Sequence, residues 1–389
     1  MPVLQQVENR SAFPELMRRT RLRAGLTQQE LADLSALSVR AVRNLEAGRV
    51  CRPRRDTVRL LADALRLDPA AQSQFLAAAA SKSTERDADT DYATSESKRA
   101  AMLGRDVELA ILQDLLLDGD QRLISVVGLP GSGKSRLVDE VGYCAVASGW
   151  SVGRDQAAPV AADGSLRLLI LDPVTPGPAV AALDELHRRD PALRMLLCAT
   201  APLGLPDERV LPLAGLPIPA AGSASAEQPS IALFISHARR VQPDRVLDAE
   251  ALPAIAELCR LLDGVPAAIS NAADWSLVLS WQQLLAAARQ DPLSIAEPPS
   301  GAADSGLRDG VLAAVRRLRP EQAALLAELA DSGRAWTLES LCDTTDRAPV
   351  KLAKALHALT LPGLLRTTRT AMGSSFGVPP LIRQALLLC

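Results

Sequence analysis

One eight-residue segment, residues 128–135, constrains the fold of this chain more than any other feature. Its sequence, GLPGSGKS, matches the pattern G-x-x-x-x-G-K-[ST], follows the apolar run LISVV and opens a helical pattern. Glycines let backbone N–H groups close around a phosphate, and the N-terminus of the following helix adds its dipole. A strand, a glycine-rich loop and a helix in this order predict an α/β domain that binds a nucleotide.

The loop supplies most of the candidate nucleotide-binding residues. We expect Lys134 to reach the β- and γ-phosphates and Ser135 to coordinate Mg²⁺. A second element follows in LLILD, four apolar residues that end in Asp172. Asp172 is predicted to hold the metal through water, although an aspartate that ends a buried strand can also simply cap the next turn. The candidates in the loop and the helix after it are Gly128, Gly131, Ser132, Gly133, Lys134, Ser135 and Arg136.

Residues 13–80 show the apolar spacing of about five helices, two of them short and joined by a tight turn. Thr27 and Glu30 stand three residues apart at the start of TQQELADL, which is the pattern of a capping box. Ser38 is the expected cap of the next helix, VRAVRNLEA. Two short helices joined in this way have the helix-turn-helix geometry, whose second helix enters the major groove of DNA.

The charge distribution favours a DNA-binding role for this segment. Residues 1–80 contain thirteen arginines and eight acidic residues, whereas the whole chain has a net charge of −2. A basic domain on an otherwise acidic protein matches the electrostatic footprint of nucleic-acid binding. A helical protein-interaction module with a solvated arginine face is the alternative interpretation.

The segment LTQQELADLSALSVRAVRNLEAGRVCRP resembles the Cro/repressor-type helix-turn-helix of the XRE family. The resemblance implies that Val39, Arg40 and Asn44 face base edges. This assignment is chemically reasonable, because arginine bonds guanine bidentately, asparagine pairs with adenine and valine packs on a thymine methyl. The predicted DNA-binding residues are Gln28, Ser38, Val39, Arg40, Arg43, Asn44 and Arg54.

The same resemblance assigns roles outside the base edges. It implies that Gln28 binds a phosphate and that Arg43 and Arg54 lie near the DNA backbone or minor groove. It also implies a salt bridge between Arg21 and Glu46 that ties the first helix to the recognition helix, which is a structural role.

Three further segments resemble the NB-ARC nucleotide-binding modules of STAND ATPases. LGRD at 103–106 is similar to their entry motif, which implies that Gly104 and Arg105 belong to the nucleotide site. LCRLLDGVPAAI resembles their LCxxLxGLPLA box, which implies that Pro266 lies against the adenine. LRPEQAALLAELADSGRAWTLESL resembles the winged-helix segment that follows. The resemblance covers about residues 101–389 and, with the helix-turn-helix, indicates a bacterial STAND-type transcriptional regulator.

The sequence departs from the family pattern at three positions. Pro173 stands where the family often has a second acid that polarises water. The third strand usually ends in T-[ST]-R, whose arginine senses the γ-phosphate, but here Thr200 stands at this point and no arginine follows. The winged-helix M-H-D histidine is replaced near Pro379. We therefore expect nucleotide binding with weak or absent hydrolysis, and we assign no catalytic residue.

The expected fold class is multidomain, with an all-α helix-turn-helix domain, an α/β P-loop NTPase domain, a helical domain and a winged-helix domain. The corresponding ranges are 1–80, 101–215, 216–300 and 301–389, with a polar linker over 81–100. The predicted function is a nucleotide-responsive DNA-binding transcriptional regulator, in which ATP or ADP with Mg²⁺ modulates operator binding or oligomerisation. The alternative is an active P-loop ATPase or STAND signalling switch with an accessory DNA-binding domain.

Composition excludes several other classes. No apolar run reaches the roughly 18 residues that cross a bilayer, and the N-terminus shows no secretory signal. Six cysteines lie far apart without a CxxC pair, which argues against zinc sites and disulfides. We therefore expect a cytoplasmic protein whose partners are double-stranded operator DNA, an adenine nucleotide and, by default, a second copy in a homodimer, with no membrane partner.

Overall fold

The computed structural model divides the chain into two compact units, Met1–Asp87 and Ala88–Cys389. We call them the first and the second unit and describe each by itself. The structure describes residues 12–35, 39–46, 55–65, 67, 75, 102–154, 166–175, 177–220, 222–244, 247, 250–299, 306–332, 334–345, 347–370 and 373–389. The predicted linker, 81–100, lies outside these residues.

Four described helices form the first unit. They are α1 (Ala12–Arg23), α2 (Gln28–Leu34), α3 (Val39–Glu46) and α4 (Arg55–Ala64). Gly25, at φ +72°, follows the end of α1. Met17, Leu31, Val42 and Leu61 are almost completely buried and form the centre of the core with Phe75.

The capping box at the start of α2 is confirmed. The backbone N–H of Glu30 donates to Thr27 Oγ1 at 3.1 Å, and the backbone N–H of Thr27 donates to Glu30 Oε2 at 2.7 Å. Each side chain thus satisfies a backbone donor that the first turn leaves free. These hydrogen bonds lower the pKa of Glu30.

A parallel sheet with helices forms the first part of the second unit. Its elements are α5 (Asp106–Gln113, continued by a π-helical turn, Asp114–Asp118), β1 (Leu123–Val127), α6 (Lys134–Ala147), β2 (Ser151–Arg154), β3 (Arg167–Leu171), α7 (Pro178–Arg189), β4 (Leu193–Ala199) and β5 (Arg209–Pro212). The strand order is β2-β3-β4-β1-β5, and every pair is parallel. The predicted α/β fold is confirmed.

The sheet is buried on both faces, which explains its continuous apolar strands. All five residues of β1 are buried. Ile124 and Val126 pack with Leu137 and Val141 of α6, whereas Leu123 packs on the opposite side with Leu193 of β4. Because β4 lies between β1 and β3, the loops after these three strands come together at one edge of the sheet.

A helical region follows the sheet. Its helices are α8 (Pro229–Val241), α9 (Ala251–Leu261), α10 (Pro266–Asp274, continued by a 3₁₀ turn, Trp275–Leu277), α11 (Trp281–Gln290) and α12 (Pro292–Ile295). Phe234 of α8 and Trp281 of α11 meet edge to face, with ring centroids 5.9 Å apart. The described residues therefore confirm an N-terminal helix-turn-helix, a parallel-sheet α/β part and a helical region.

The chain then forms five helices and a small antiparallel sheet within the described residues. These elements are α13 (Leu307–Arg316), α14 (Pro320–Asp331), β6 (Trp336–Thr337), α15 (Leu338–Thr345), α16 (Pro349–Thr360), β7 (Arg366–Thr370), β8 (Gly373–Gly377) and α17 (Pro380–Leu387). Strands β7 and β8 pair antiparallel, and β6 pairs with β8. This segment shares one hydrophobic core with α8–α12, from Ile231 to Ala385.

Candidate functional site

The glycine-rich loop stands between β1 and α6, in the strand–loop–helix order that phosphate binding requires. Gly131 and Gly133 have φ angles of +76° and +94°, which residues with a Cβ atom rarely adopt. At Gly128, a Cβ atom would lie only 2.4 Å from the carbonyl oxygen of Leu213. The loop therefore needs glycine at all three positions, two for conformation and one for space.

Lys134 begins α6 and bends back over the loop. Its Nζ donates to the carbonyl oxygens of Gly128 at 3.0 Å and Leu129 at 2.8 Å. Burial lowers its pKa, and the nearby Asp172 carboxylate offsets this only in part. A partly desolvated ammonium held over a phosphate-binding loop is stabilised by an added anion, so the residues present fit a nucleotide phosphate.

Ser132 is a second residue of the loop that fits a phosphate ligand. Its side chain is buried, and its Oγ has no hydrogen-bond partner among the described residues. A buried hydroxyl without a partner is costly, and a phosphate oxygen would satisfy it. Ser135 and Arg136 lie one turn further, exposed on the first turn of α6.

Asp172 follows β3 at the same edge of the sheet, close enough for its charge to raise the pKa of Lys134. It accepts a hydrogen bond from the thiol of Cys198 in β4, and burial and the Asp172 charge both raise the pKa of that thiol. Arg154 Nη2, at the end of β2, lies 3.4 Å from Asp172 Oδ2 and also pairs with Asp139 of α6. The structure thus brings the two predicted phosphate-site elements together and adds Arg154, which the sequence did not single out.

Arg105 supports the loop from behind. It is 4% exposed, and its guanidinium donates to the carbonyl oxygens of Ser132 at 3.0 Å and Ala214 at 2.5 Å and to Glu108 at 2.7 Å. With these partners it fixes the loop from inside the protein. Gly104, at φ +63°, packs against Pro229, where a Cβ atom would lie 2.4 Å away.

Pro266 lies beside the glycine-rich loop, and its contact with an adenine stays a prediction. It begins α10, and a Cβ atom at Gly133 would stand 3.8 Å from its Cγ. The next residue, Ala267, donates its backbone N–H to the carbonyl oxygen of Gly131 at 3.1 Å. The segment that resembles the LCxxLxGLPLA box is therefore attached directly to the phosphate-binding loop.

Helix α13 also covers the loop, which the sequence did not predict. A Cβ atom at Gly310 would lie 2.7 Å from Pro130 Cγ, and one at Gly131 would lie 2.8 Å from Leu307 Cδ1. Just after this helix, Arg317 Nη1 donates to Thr200 Oγ1 at 3.2 Å. In the sequence, the one local sign of this contact is Gly310, a glycine at the fourth position of what the structure shows to be a helix.

The first unit contains the salt bridge that the XRE resemblance implies. Arg21 Nε donates to Glu46 Oε1 at 2.5 Å and Nη2 donates to Oε2 at 3.1 Å, so α1 is joined to the end of α3. Gln28 Nε2 also donates to Glu46, at 2.7 Å, and Arg43 Nε donates to Gln28 Oε1 at 3.3 Å. Burial opposes ionisation of Glu46, but these hydrogen bonds and the charges of Arg21 and Arg18 outweigh it and lower its pKa.

The structure describes several of the predicted DNA-binding residues only in part. Val39 begins α3 and packs partly on the core, while Arg43 is exposed. The backbones of Arg40 and Asn44 belong to α3, but their side chains lie outside the described residues, as do Ser38 and Arg54 entirely. The DNA contacts of all these residues stay predictions.

Comparison with known proteins supports the helix-turn-helix assignment of the first unit. A helix-turn-helix domain family matches residues 13–75, the range from α1 to Phe75. The uncharacterized proteins Rv0894 of Mycobacterium tuberculosis and Mb0918 of Mycobacterium bovis are each 31% identical over 259 residues, covering 57% of this chain and 58% of theirs. The chain therefore spans less than two thirds of the length of these curated relatives.

A solved structure is also similar, at 14% identity and a TM-score of 0.28. It is a Signal Transduction ATPase with Numerous Domains (STAND) protein with a tetratricopeptide repeat sensor, PH0952 from Pyrococcus horikoshii. The match covers 74% of this chain and 43% of that one.

Among the described helices, none has the length and apolar character needed to cross a membrane.

Proposed function

We propose that this chain is a nucleotide-responsive DNA-binding transcriptional regulator. ATP or ADP with Mg²⁺ binds at the glycine-rich loop, and the nucleotide state modulates operator binding or oligomerisation. The observation that carries the proposal is the loop itself, in a chain that also contains a helix-turn-helix unit. A half-buried lysine lies over left-handed glycines, and the Ser132 hydroxyl has no hydrogen-bond partner within the described part of the chain.

The proposed nucleotide site uses residues from four elements. Lys134 binds the β- and γ-phosphates, and Ser132 and the loop N–H groups bind the phosphate oxygens. Ser135 coordinates Mg²⁺ directly, and Asp172 holds it through water. Pro266, which the NB-ARC resemblance assigns to the adenine, stands beside Gly133.

The proposed DNA site lies on α3 of the first unit. Arg40 and Asn44 read base edges, Arg43 and Arg54 lie near the DNA backbone or minor groove, and Gln28 contributes a phosphate contact. The Arg21–Glu46 pair holds α3 against α1, which keeps the recognition helix in a fixed orientation. Palindromic operators read by such domains make a dimer the default assembly.

The nucleotide state acts on the conformation of the protein at the contact between α13 and the loop. Leu307 and Gly310 pack on the loop that binds phosphate, so a change in the loop alters the fit of the C-terminal segment. That segment is the one that resembles a winged helix. Two arrangements that bind ATP and ADP differently would let the nucleotide shift the population between them.

Hydrolysis is weak in the proposed function, because Pro173 has no side chain that can activate water. An active ATPase or STAND switch with an accessory DNA-binding domain is the second candidate. One observation favours it: Arg317 brings a cation to Thr200, where no arginine directly follows the strand. Phosphate release at about 1 s⁻¹ or faster, lost in Lys134→Ala, would favour this second candidate.

Thermal unfolding with and without nucleotide tests the proposed site. ATP or ADP with Mg²⁺, at about 100 times Kd, should stabilise the chain by about 2.7 kcal/mol. Lys134→Ala should abolish the shift, whereas Lys351→Ala, which removes an exposed lysine of α16, should retain it. An unchanged melting temperature in millimolar nucleotide would contradict the proposal.

A further inference from the structure

Arg317 and Thr200 meet across 117 residues of sequence. Arg317 directly follows α13, and its Nη1 donates to Thr200 Oγ1 at 3.2 Å. Thr200 directly follows β4, the strand between β1 and β3. A guanidinium from the C-terminal segment therefore reaches the central strand of the sheet.

Thr200 stands where the loops of the nucleotide site meet. On one side, the backbone N–H of Gly128 donates to the carbonyl oxygen of Ala199, one residue before Thr200, at 3.3 Å. On the other side, Val174, two residues after Asp172, donates its N–H to the carbonyl oxygen of Cys198 at 2.7 Å. The end of β4 thus joins the glycine-rich loop to the loop that carries Asp172.

The position of Arg317 is set by the packing of α13. Leu307, at the start of this helix, contacts the loop at Gly131, and Gly310 lies against Pro130. Because the helix begins on the loop, its C-terminal end lies along the same edge of the sheet. There Arg317 contacts Thr200. The packing of α13 therefore holds Arg317 near the loop.

Two other arginines near this edge already have anionic partners. Arg154 pairs with Asp139 and Asp172, and Arg105 pairs with Glu108. Arg317 is exposed and bonds a neutral hydroxyl, and no carboxylate within the described part of the chain forms an ion pair with it. An arginine with unused donors at a phosphate-binding edge is available to an anionic ligand.

We propose that Arg317 binds the γ-phosphate of ATP and makes the site discriminate between ATP and ADP. The proposal rests on the proposed function, because it requires a nucleotide at the loop. Arg317 takes the place of the arginine that is missing after Thr200, but from a different segment of the chain. Since ADP lacks the γ-phosphate, only ATP gains this charge-assisted hydrogen bond, and the bond links the nucleotide to α13.

Equilibrium binding of ADP and of the non-hydrolysable β,γ-imido analogue of ATP, each with Mg²⁺, tests the proposal in the full chain. Arg317→Ala should weaken binding of the ATP analogue about tenfold or more and leave ADP binding within about twofold. Arg317→Lys keeps the charge without the planar fork and should fall between the two. Arg316→Ala, an exposed arginine one residue earlier, is the matched control and should change neither affinity.

The outcomes separate this proposal from the one it rests on. Equal weakening of both nucleotides by Arg317→Ala, or no weakening of either, would overturn the role of Arg317 while leaving the nucleotide site intact. A wild-type chain that binds neither nucleotide, and so matches Lys134→Ala, would overturn both. Thr200→Val, which removes the hydroxyl partner but keeps the shape, should leave the preference for the ATP analogue at or above the wild-type value, because Arg317 stays available. A loss of the preference in this variant would also contradict the proposal.

Discussion

Gly310 of α13 lies so close to Pro130 of the glycine-rich loop that a Cβ atom at position 310 would stand 2.7 Å from the Pro130 Cγ. Real Cβ atoms do not approach other carbon atoms to this distance, so the contact exists only because residue 310 is glycine. The C-terminal segment therefore fits against the loop at a position where one methyl group decides the fit.

The first prediction concerns this contact. In an ordinary helix interior, glycine to alanine stabilises by roughly 0.5–1 kcal/mol, but Gly310→Ala should destabilise the second unit by about 1–3 kcal/mol, because the helix and the loop must separate. All four tryptophans lie in the second unit, so their fluorescence in urea reports this unfolding. Gly377→Ala, where a Cβ atom meets nothing within 4 Å, is the control. Equal stability of the two variants would contradict the close contact.

The second prediction concerns the buried pair in the first unit. Glu46→Gln leaves the Arg21 charge without its counter-ion, so α1–α3 should lose about 1–3 kcal/mol of protection. Amide hydrogen exchange in the full chain would show faster exchange of about tenfold or more in these helices. Glu30→Gln, on an exposed capping box that glutamine can also complete, should change little. Unchanged exchange in Glu46→Gln would mean that the pair does not stabilise the unit.

The third prediction is a pH dependence of the second unit. Burial raises the pKa of Asp263 to about 6, although the Arg366 guanidinium pairs with it. A folded-state pKa above the ordinary value of 3.8 means that this group contributes stability at low pH and loses it as the pH rises through about 6. Asp263→Asn should therefore flatten the fall in stability between pH 4 and 7.

The control for Asp263 uses a second acidic residue in the same unit. Asp263 has φ 54°, which asparagine tolerates, so the substitution keeps the backbone. Asp331→Asn, at the exposed end of α14, should retain the wild-type pH profile. Parallel pH profiles of wild type and Asp263→Asn, measured by tryptophan fluorescence in urea, would contradict the raised pKa.

The fourth prediction concerns base reading by α3. Arg40→Ala should cost about 1–3 kcal/mol in affinity for a DNA duplex selected from a random library, and relax preference at one base pair. Arg54→Ala removes the same charge but should weaken all sequences about equally and reduce the salt dependence of binding. Binding of selected and scrambled duplexes at several salt concentrations separates these effects. Uniform weakening by both variants would remove Arg40 from base reading.

Local sequence signals predicted much of this molecule. The loop at 128–135, the strand before Asp172 and the Thr27–Glu30 capping box all depend on a few consecutive residues. The Arg21–Glu46 pair was available only through a family resemblance, because 25 residues separate the two side chains. Patterns within one turn, loop or strand survive in the fold because local geometry alone enforces them.

The contacts around the nucleotide site were less accessible to sequence reasoning. Arg317 reaches Thr200 from 117 residues away, and Gly310 meets Pro130 only after the C-terminal segment has packed. Strands β2 and β5 have four residues each, too few for a clear alternating or apolar pattern. These features depend on tertiary packing, for which no local periodicity gives a signal.

The affinity of the full chain for a selected DNA duplex, measured with ATP, with ADP and without nucleotide, shows whether nucleotide controls DNA binding. We expect the affinity to differ between nucleotide states by about fivefold or more, a typical coupling between two sites. Lys134→Ala should bind the duplex with one affinity under all three conditions, while Lys351→Ala should retain the difference. Wild-type affinity that stays the same in ATP, in ADP and without nucleotide would contradict regulation of DNA binding by nucleotide.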